Sequence, residues 1–250
     1  PNVGHWFKPE VQRAVGAIAR AIAKPDCKAW RDQLQLALSS ILVRVSNQES
    51  DTRYAAIEKS VSFQDVFLAF ITAVGRIERA LTERDWRLGP AQVIENNTLE
   101  VHPADVIGRV GLVITSPPYP NAYEYWLYHK YRMWWLGFDP LAVKKKEIGA
   151  RAHFFKKHHH TADLFIDQMR QTFCLIDKLL VPLGFVCFVV GRSKIHGKLI
   201  DNAAIIDSVA REQSLTAIAR FERMISPHRK SFNLSHANIK SESLLIFQKK

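Results

Sequence analysis

The chain has 250 residues, 47% of them apolar, which is enough to build one α/β domain or two smaller units and excludes a disordered chain. Thirty-five Lys and Arg against 24 Asp and Glu give a formal charge of +11, with an isoelectric point near 9.7. That balance suits a polyanion, either nucleic acid or an anionic membrane surface, or an ordinary basic protein kept soluble by its lysines.

No apolar run is long enough to span a bilayer, and no secretory or lipidation signal is visible. Nucleic acid is therefore the expected partner, with no membrane, and the expected location is cytoplasmic. Cys27, Cys174 and Cys187 are widely spaced, which fits reduced thiols and neither a disulfide framework nor a zinc motif.

Pro9 opens an amphipathic helix over residues 8–23, with Val11, Val15, Ile18 and Ile22 on one stripe. A second helix is expected from Lys28 to Val45, turning Trp30, Leu34, Ala37, Leu38, Ile41, Leu42 and Val45 inward. The polar stretch Ser46–Tyr54 is either a loop able to read base edges or a solvated connection. Ser62-Phe-Gln-Asp65 has the form of a capping box. It starts a helix whose stripe of Phe63, Val66, Phe67, Phe70, Ile71, Val74, Ile77 and Leu81 reads as core.

Gly89-Pro90 marks a boundary between a helical region, residues 1–88, and a strand-rich α/β region, residues 89–250. Ala91–Glu95 reads as a strand, followed by Asn96-Asn97-Thr98. Leu112, Val113 and Ile114 form a short apolar run expected to be a central strand buried on both faces. Ser116-Pro117-Pro118-Tyr119 ends it, because two prolines fix φ and remove two backbone donors. The result is a stiff turn with free carbonyls, a hydroxyl and an aromatic ring, at the end of a strand where open α/β sheets bind ligands. Such a turn suits a planar group bearing an amine.

The string Thr115-Ser-Pro-Pro-Tyr-Pro-Asn-Ala-Tyr-Glu-Tyr125 resembles motif IV of the DNA amino-methyltransferases, in the form associated with N4-cytosine methylation. The resemblance implies a class I S-adenosylmethionine-dependent, Rossmann-like sheet and a restriction-modification setting. It also implies a flipped target base, since base chemistry cannot be done within the stack. Tyr119 would stack on the base, while Ser116 and the Pro117 carbonyl accept from its amine, with Pro118 stiffening the turn. An N6-adenine enzyme and a noncatalytic DNA-binding or assembly subunit are the alternatives. By the same resemblance Asn97 stands where an acidic residue commonly accepts from the cofactor's adenine amine, and Thr115 borders that site.

Beyond Tyr119, residues 121–137 are rich in aromatic rings. Leu127, Trp134 and Trp135 are expected in the core, while some tyrosines belong either to packing or to a base pocket. Lys144, Lys145 and Lys146 begin a basic connection suited to phosphates. The run His158-His159-His160 lacks companion ligands, and no metal is expected. A helix capped by Thr161, a buried strand over residues 185–190, a covering helix over residues 200–213 and a terminal strand pair imply a sheet covered on both faces. Arg192, Lys194, His228, Arg229 and Lys230 are further candidates for DNA contact.

The family's Gly-rich cofactor turn is missing: no two of the eleven glycines are separated by a single residue. Since the chain opens on Pro1, the sequence leads us to expect that turn on an upstream segment or on a second subunit.

Overall fold

A computed structural model describes residues 2–51, 53–84, 89–120, 124–154, 159–225 and 241–250. The chain forms two compact units, Pro1–Gly89 with Trp126–Lys145, and Pro90–Tyr125 with Lys146–Lys250. Residues 126–145 thus leave the strand-rich region and join the N-terminal helices. Tyr131, Trp135 and Leu136 enter the helical core, where the Tyr131 ring lies 5.4 Å from Trp6 and 5.5 Å from Phe7.

In the first unit, α1 (Val3–Trp6), α2 (Pro9–Ile22) and α3 (Arg31–Val45) precede a hairpin of β1 (Gln48–Ser50) and β2 (Arg53–Ala56). Then come α4 (Phe63–Thr82), α5 (Tyr125–Tyr128), α6 (Lys130–Trp135) and α7 (Pro140–Lys146), of which Tyr125 and Lys146 belong to the second unit. Val11, Val15, Ile18 and Ile22 of α2 are all buried, as their spacing requires. Trp30 is not inward: it is 61% exposed, because Pro25–Trp30 forms a 3₁₀ turn and α3 starts one residue later. The tighter 3₁₀ repeat puts that ring out of phase with the α3 stripe.

The α4 stripe is narrower than expected. Val66, Ala69 and Ala73 are buried, and Phe67, Phe70, Val74 and Ile77 pack half-buried against the same core, while Phe63 and Ile71 are 40% and 64% exposed. Ile71 lies five residues beyond Val66, which is about 140° round a helix of 3.6 residues per turn. The capping box is formed: Asp65 N–H donates to Ser62 Oγ at 3.2 Å, and Ser62 N–H to the Asp65 carboxylate at 2.8 Å. Ser62→Ala is expected to cost about 1 kcal/mol, read as a shifted denaturant midpoint; an unchanged midpoint would mean the box contributes nothing.

The stretch 46–54 carries a hairpin and is not merely a solvated connection. Gln48 is buried, and its amide donates to Ser50 O at 2.8 Å and Tyr128 O at 3.2 Å. Arg53 pairs with Glu49 at 2.8 Å, and Asn47 donates to His5 O. Gln48 and Asn47 thus tie the hairpin to α5 and α1, while Arg53 and Glu49 brace it internally.

The second unit contains β3 (Val110–Thr115), α8 (Ala162–Leu179), β4 (Leu180–Gly191), β5 (Ser193–Ile195) and β6 (Lys198–Ile200). It ends with α9 (Asn202–Arg211), β7 (Leu215–Met224) and β8 (Ser241–Lys249). Its main sheet has the order β3-β4-β8-β7, parallel between β3 and β4 and antiparallel elsewhere. This is a mixed α/β architecture closed by the expected terminal strand pair.

Helices α8 and α9 pack on one face of that sheet. Phe165, Met169 and Phe173 of α8 and Ile206 and Val209 of α9 meet Val186, Phe188 and Val190 of β4 and Leu245 and Phe247 of β8. The other face is open among the described residues: Leu112 is 55%, Ile114 69% and Phe221 57% exposed. The expectation of a central strand buried on both faces is therefore corrected. Alternation turns Val113 toward the helices and its neighbours away, and among the described strands β3 pairs only with β4. Residues 91–95 form no strand either; Val93 is 91% exposed, so its alternation has no partner to act on. At α8, Thr161 takes the N-cap position but its side chain makes no cap bond.

Candidate functional site

Thr115 is the last paired residue of β3, opposite Phe188 of β4. The chain then leaves the sheet through Ser116-Pro117-Pro118-Tyr119. Pro117 and Pro120 are buried, Pro118 and Tyr119 half-buried, and Ser116 exposed. The prolines thus seat the turn while its hydroxyl stays open.

Tyr119 fixes the turn to the ends of two other strands. Its hydroxyl lies 3.3 Å from Ser116 Oγ, 3.3 Å from the Val189 carbonyl and 3.4 Å from Glu242 Oε1. Arg223 of β7 grips the other oxygen of Glu242, whose side chain is only 17% exposed. Burial pushes the Tyr119 phenol up from its ordinary range; the Ser116 hydrogen bond opposes that, and the Glu242 charge adds to it.

A second brace comes from the segment after α7. Gly149 has φ +73°, and a Cβ there would sit 2.7 Å from Tyr119 O and 3.0 Å from Tyr119 C. The close approach and the left-handed backbone both require glycine. Nearby, Glu147 accepts from Tyr125 N–H at 2.7 Å and Glu124 from Ala152 N–H at 3.2 Å. Residues 147–152 therefore strap the segment that follows the turn. At the end of β4, buried Asn202 donates to Gly191 O at 2.7 Å.

The other expected residues are placed as follows. Asn97 caps a 3₁₀ turn, its side-chain oxygen accepting from Leu99 N–H at 3.1 Å. Lys144 and Lys145 belong to the first unit, and Lys144 Nζ lies 4.4 Å from the Trp126 ring centre. Lys146 belongs to the second and pairs with Glu100 at 2.9 Å. Arg192, just after β4, and Lys194, on β5, are both exposed. His158, His228, Arg229 and Lys230 lie outside the described residues. The structure thus gathers Thr115 and Ser116–Tyr119 at the β3–β4 ends, with Arg192 following β4.

Gly149, Glu147 and Glu242 were not signalled by the sequence; only the positive φ and the long-range contacts reveal them. A cavity of about 360 Å³ lies in the helical unit, lined in part by Ala19, Ile22, Leu38 and Trp135, and plays no part in this site. Among the described residues no cluster of three or more His, Cys, Asp or Glu could hold a metal ion. Among them, too, no helix is long and apolar enough to cross a membrane.

No family model matches the chain, and no curated protein does. Similar solved structures include TTHA0409 of Thermus thermophilus, provisionally named a DNA modification methylase. It is 19% identical with a TM-score of 0.37, over 62% of this chain and 52% of that one. The same protein complexed with S-adenosyl-L-methionine gives 18% identity and a TM-score of 0.36, over 61% of this chain and 53% of that one. The chain thus spans about half the length of the structures it matches. A likeness of that size assigns no activity to it.

Proposed function

We propose that this chain is the target-base portion of a DNA methyltransferase that presents the N4 amine of a flipped cytosine. The observation that carries this reading is the Ser116-Pro-Pro-Tyr119 turn, seated by buried Pro117 and Pro120 at the end of a parallel strand with its serine exposed. In this reading the Tyr119 ring stacks on the extruded base. Ser116 Oγ and the Pro117 carbonyl accept from its amine, and Pro118 keeps the turn stiff. Catalysis by these residues is orientation: an amine held in line needs little acid–base help. Lys146, Arg192 and Lys194, together with Lys144, Lys145, His228, Arg229 and Lys230, are proposed to contact phosphates.

S-adenosylmethionine would supply the methyl group. Of this chain's residues, Asn97 and Thr115 are proposed to border its site without completing it. Asn97 turns its oxygen to Leu99, and no Gly-rich turn occurs in the sequence. We therefore place the donor on a further segment or a second subunit. Among the described residues the outer edge of β3 is unpaired and the apolar face beside it is open, which leaves room for such a segment.

The test uses the chain as it is, with duplexes carrying an unpaired 5-iodocytosine as a photo-crosslinking probe. Cross-linking should map to Tyr119 and its neighbours and should fall steeply with salt, as counterion release requires. Calorimetry should show little S-adenosylmethionine binding by the chain alone. Cross-links elsewhere, or salt-insensitive binding, would remove the proposal. With the complementary segment restored, product digestion separates N4-methylcytosine from N6-methyladenine. Methyladenine alone would move the reading to adenine, and no methylated base would leave a noncatalytic DNA-binding subunit.

A further inference from the structure

Tyr119 has one phenolic proton, and two of its three neighbours cannot donate one. The Val189 carbonyl, 3.3 Å away, is an acceptor only, and so is the Glu242 carboxylate, 3.4 Å away and held on its far oxygen by Arg223. Whichever of them takes the proton, Tyr119 has none left for Ser116. The 3.3 Å contact between the two hydroxyls then needs Ser116 as its donor. With its proton turned toward Tyr119, Ser116 presents only lone pairs to the outside, where it is exposed.

We propose that Glu242, braced by Arg223, is a positioning residue that acts through Tyr119 to hold Ser116 as a pure hydrogen-bond acceptor, so that the turn selects an amino group over a carbonyl oxygen. The inference rests on the base-binding reading above and deepens it. A cytosine amine meets a matching acceptor, whereas the O4 of uracil at the same place meets another lone pair. A buried polar group left facing a like partner is penalised, so the preference for cytosine should be on the order of ten- to a hundredfold.

Glu242→Gln keeps the shape and changes the polarity. Arg223 holds the amide oxygen, which leaves the amide N–H₂ facing Tyr119. That group donates to the phenolic oxygen in competition with Ser116, which loosens the hold on the Ser116 hydroxyl while the Val189 carbonyl still takes the phenolic proton. Tyr119→Phe removes the relay altogether and keeps the ring.

The measurement is the ratio of affinities for two duplexes that differ only in an unpaired cytosine or an unpaired uracil. The ratio should collapse toward one in Tyr119→Phe and fall part of the way in Glu242→Gln, where the Val189 carbonyl still takes the phenolic proton; an undiminished ratio in either variant would overturn the inference. A second measurement needs no DNA. The phenol of Tyr119, identified in an ultraviolet titration by its loss in Tyr119→Phe, should ionise at lower pH in Glu242→Gln, because a negative charge beside it is gone. An unmoved titration would show that Glu242 does not reach Tyr119, and the relay would fall even if the base reading stood. A moved titration with no cytosine preference in the unmodified chain would instead refute the base reading, and with it the selectivity built on it.

Discussion

Gly149→Ala is expected to force the Ser116–Tyr119 turn out of place and to destabilise the second unit by about 2–5 kcal/mol, the sum of a left-handed backbone penalty and overpacking. The position has φ +73°, and the added methyl would meet Tyr119 O at 2.7 Å, Tyr119 C at 3.0 Å and Pro120 N at 3.4 Å. All three are backbone atoms between two seated residues, so no side chain can swing aside. Gly108 gives the internal control. Its φ is +87°, but nothing lies within 4 Å of a built Cβ, so Gly108→Ala should carry only the backbone part, about 1–2 kcal/mol. Urea unfolding of both variants checks the stability difference, and photo-cross-linking at Tyr119 checks the displacement. Equal losses at the two glycines would show that the contact with the turn is unimportant.

What could be read from the sequence was what neighbouring residues decide. The α2 stripe and the Ser62–Asp65 capping box depend on spacings of three or four residues, and both formed as spelled. The Ser116-Pro-Pro-Tyr119 turn was legible because proline chemistry acts on the residue itself. The position of β3 in its sheet was not legible: the run Leu112–Ile114 is as apolar as a doubly covered strand, and only the order of the described strands puts it at an open edge. Residues 91–95 failed for a related reason, since alternation specifies a strand only when a partner supplies the ladder. The lysines of 144–146 look like one patch in the sequence. In the fold Lys144 lies over Trp126 and Lys146 pairs with Glu100, so adjacent charges serve different contacts. Glu242 was invisible because it reaches the turn from the far end of the chain, on β8.

Tyr119→Ala should give the largest effect on base capture. Stacking of a base on an aromatic side chain contributes about 1–3 kcal/mol by alanine substitution, roughly a five- to 150-fold loss for a duplex with an unpaired cytosine. The structure adds a second contribution, because the same side chain ties the turn to Val189 and Glu242. Without it Ser116 loses its partner, and the turn loses its tether to β4 and β8. The loss should therefore lie toward the upper part of that range. Tyr119→Phe keeps the ring and removes the tether, so it should fall between the parent chain and Tyr119→Ala. Affinity for a fully paired duplex should change little in either variant, because phosphate contacts carry most of it and no base is extruded. Parallel titrations of paired and unpaired duplexes at one salt concentration read all of this directly. Equal weakening on both duplexes would mean that the substitution damages the fold or the phosphate contacts. Unchanged binding of the unpaired duplex by Tyr119→Ala would take Tyr119, and the base-stacking reading with it, out of the site.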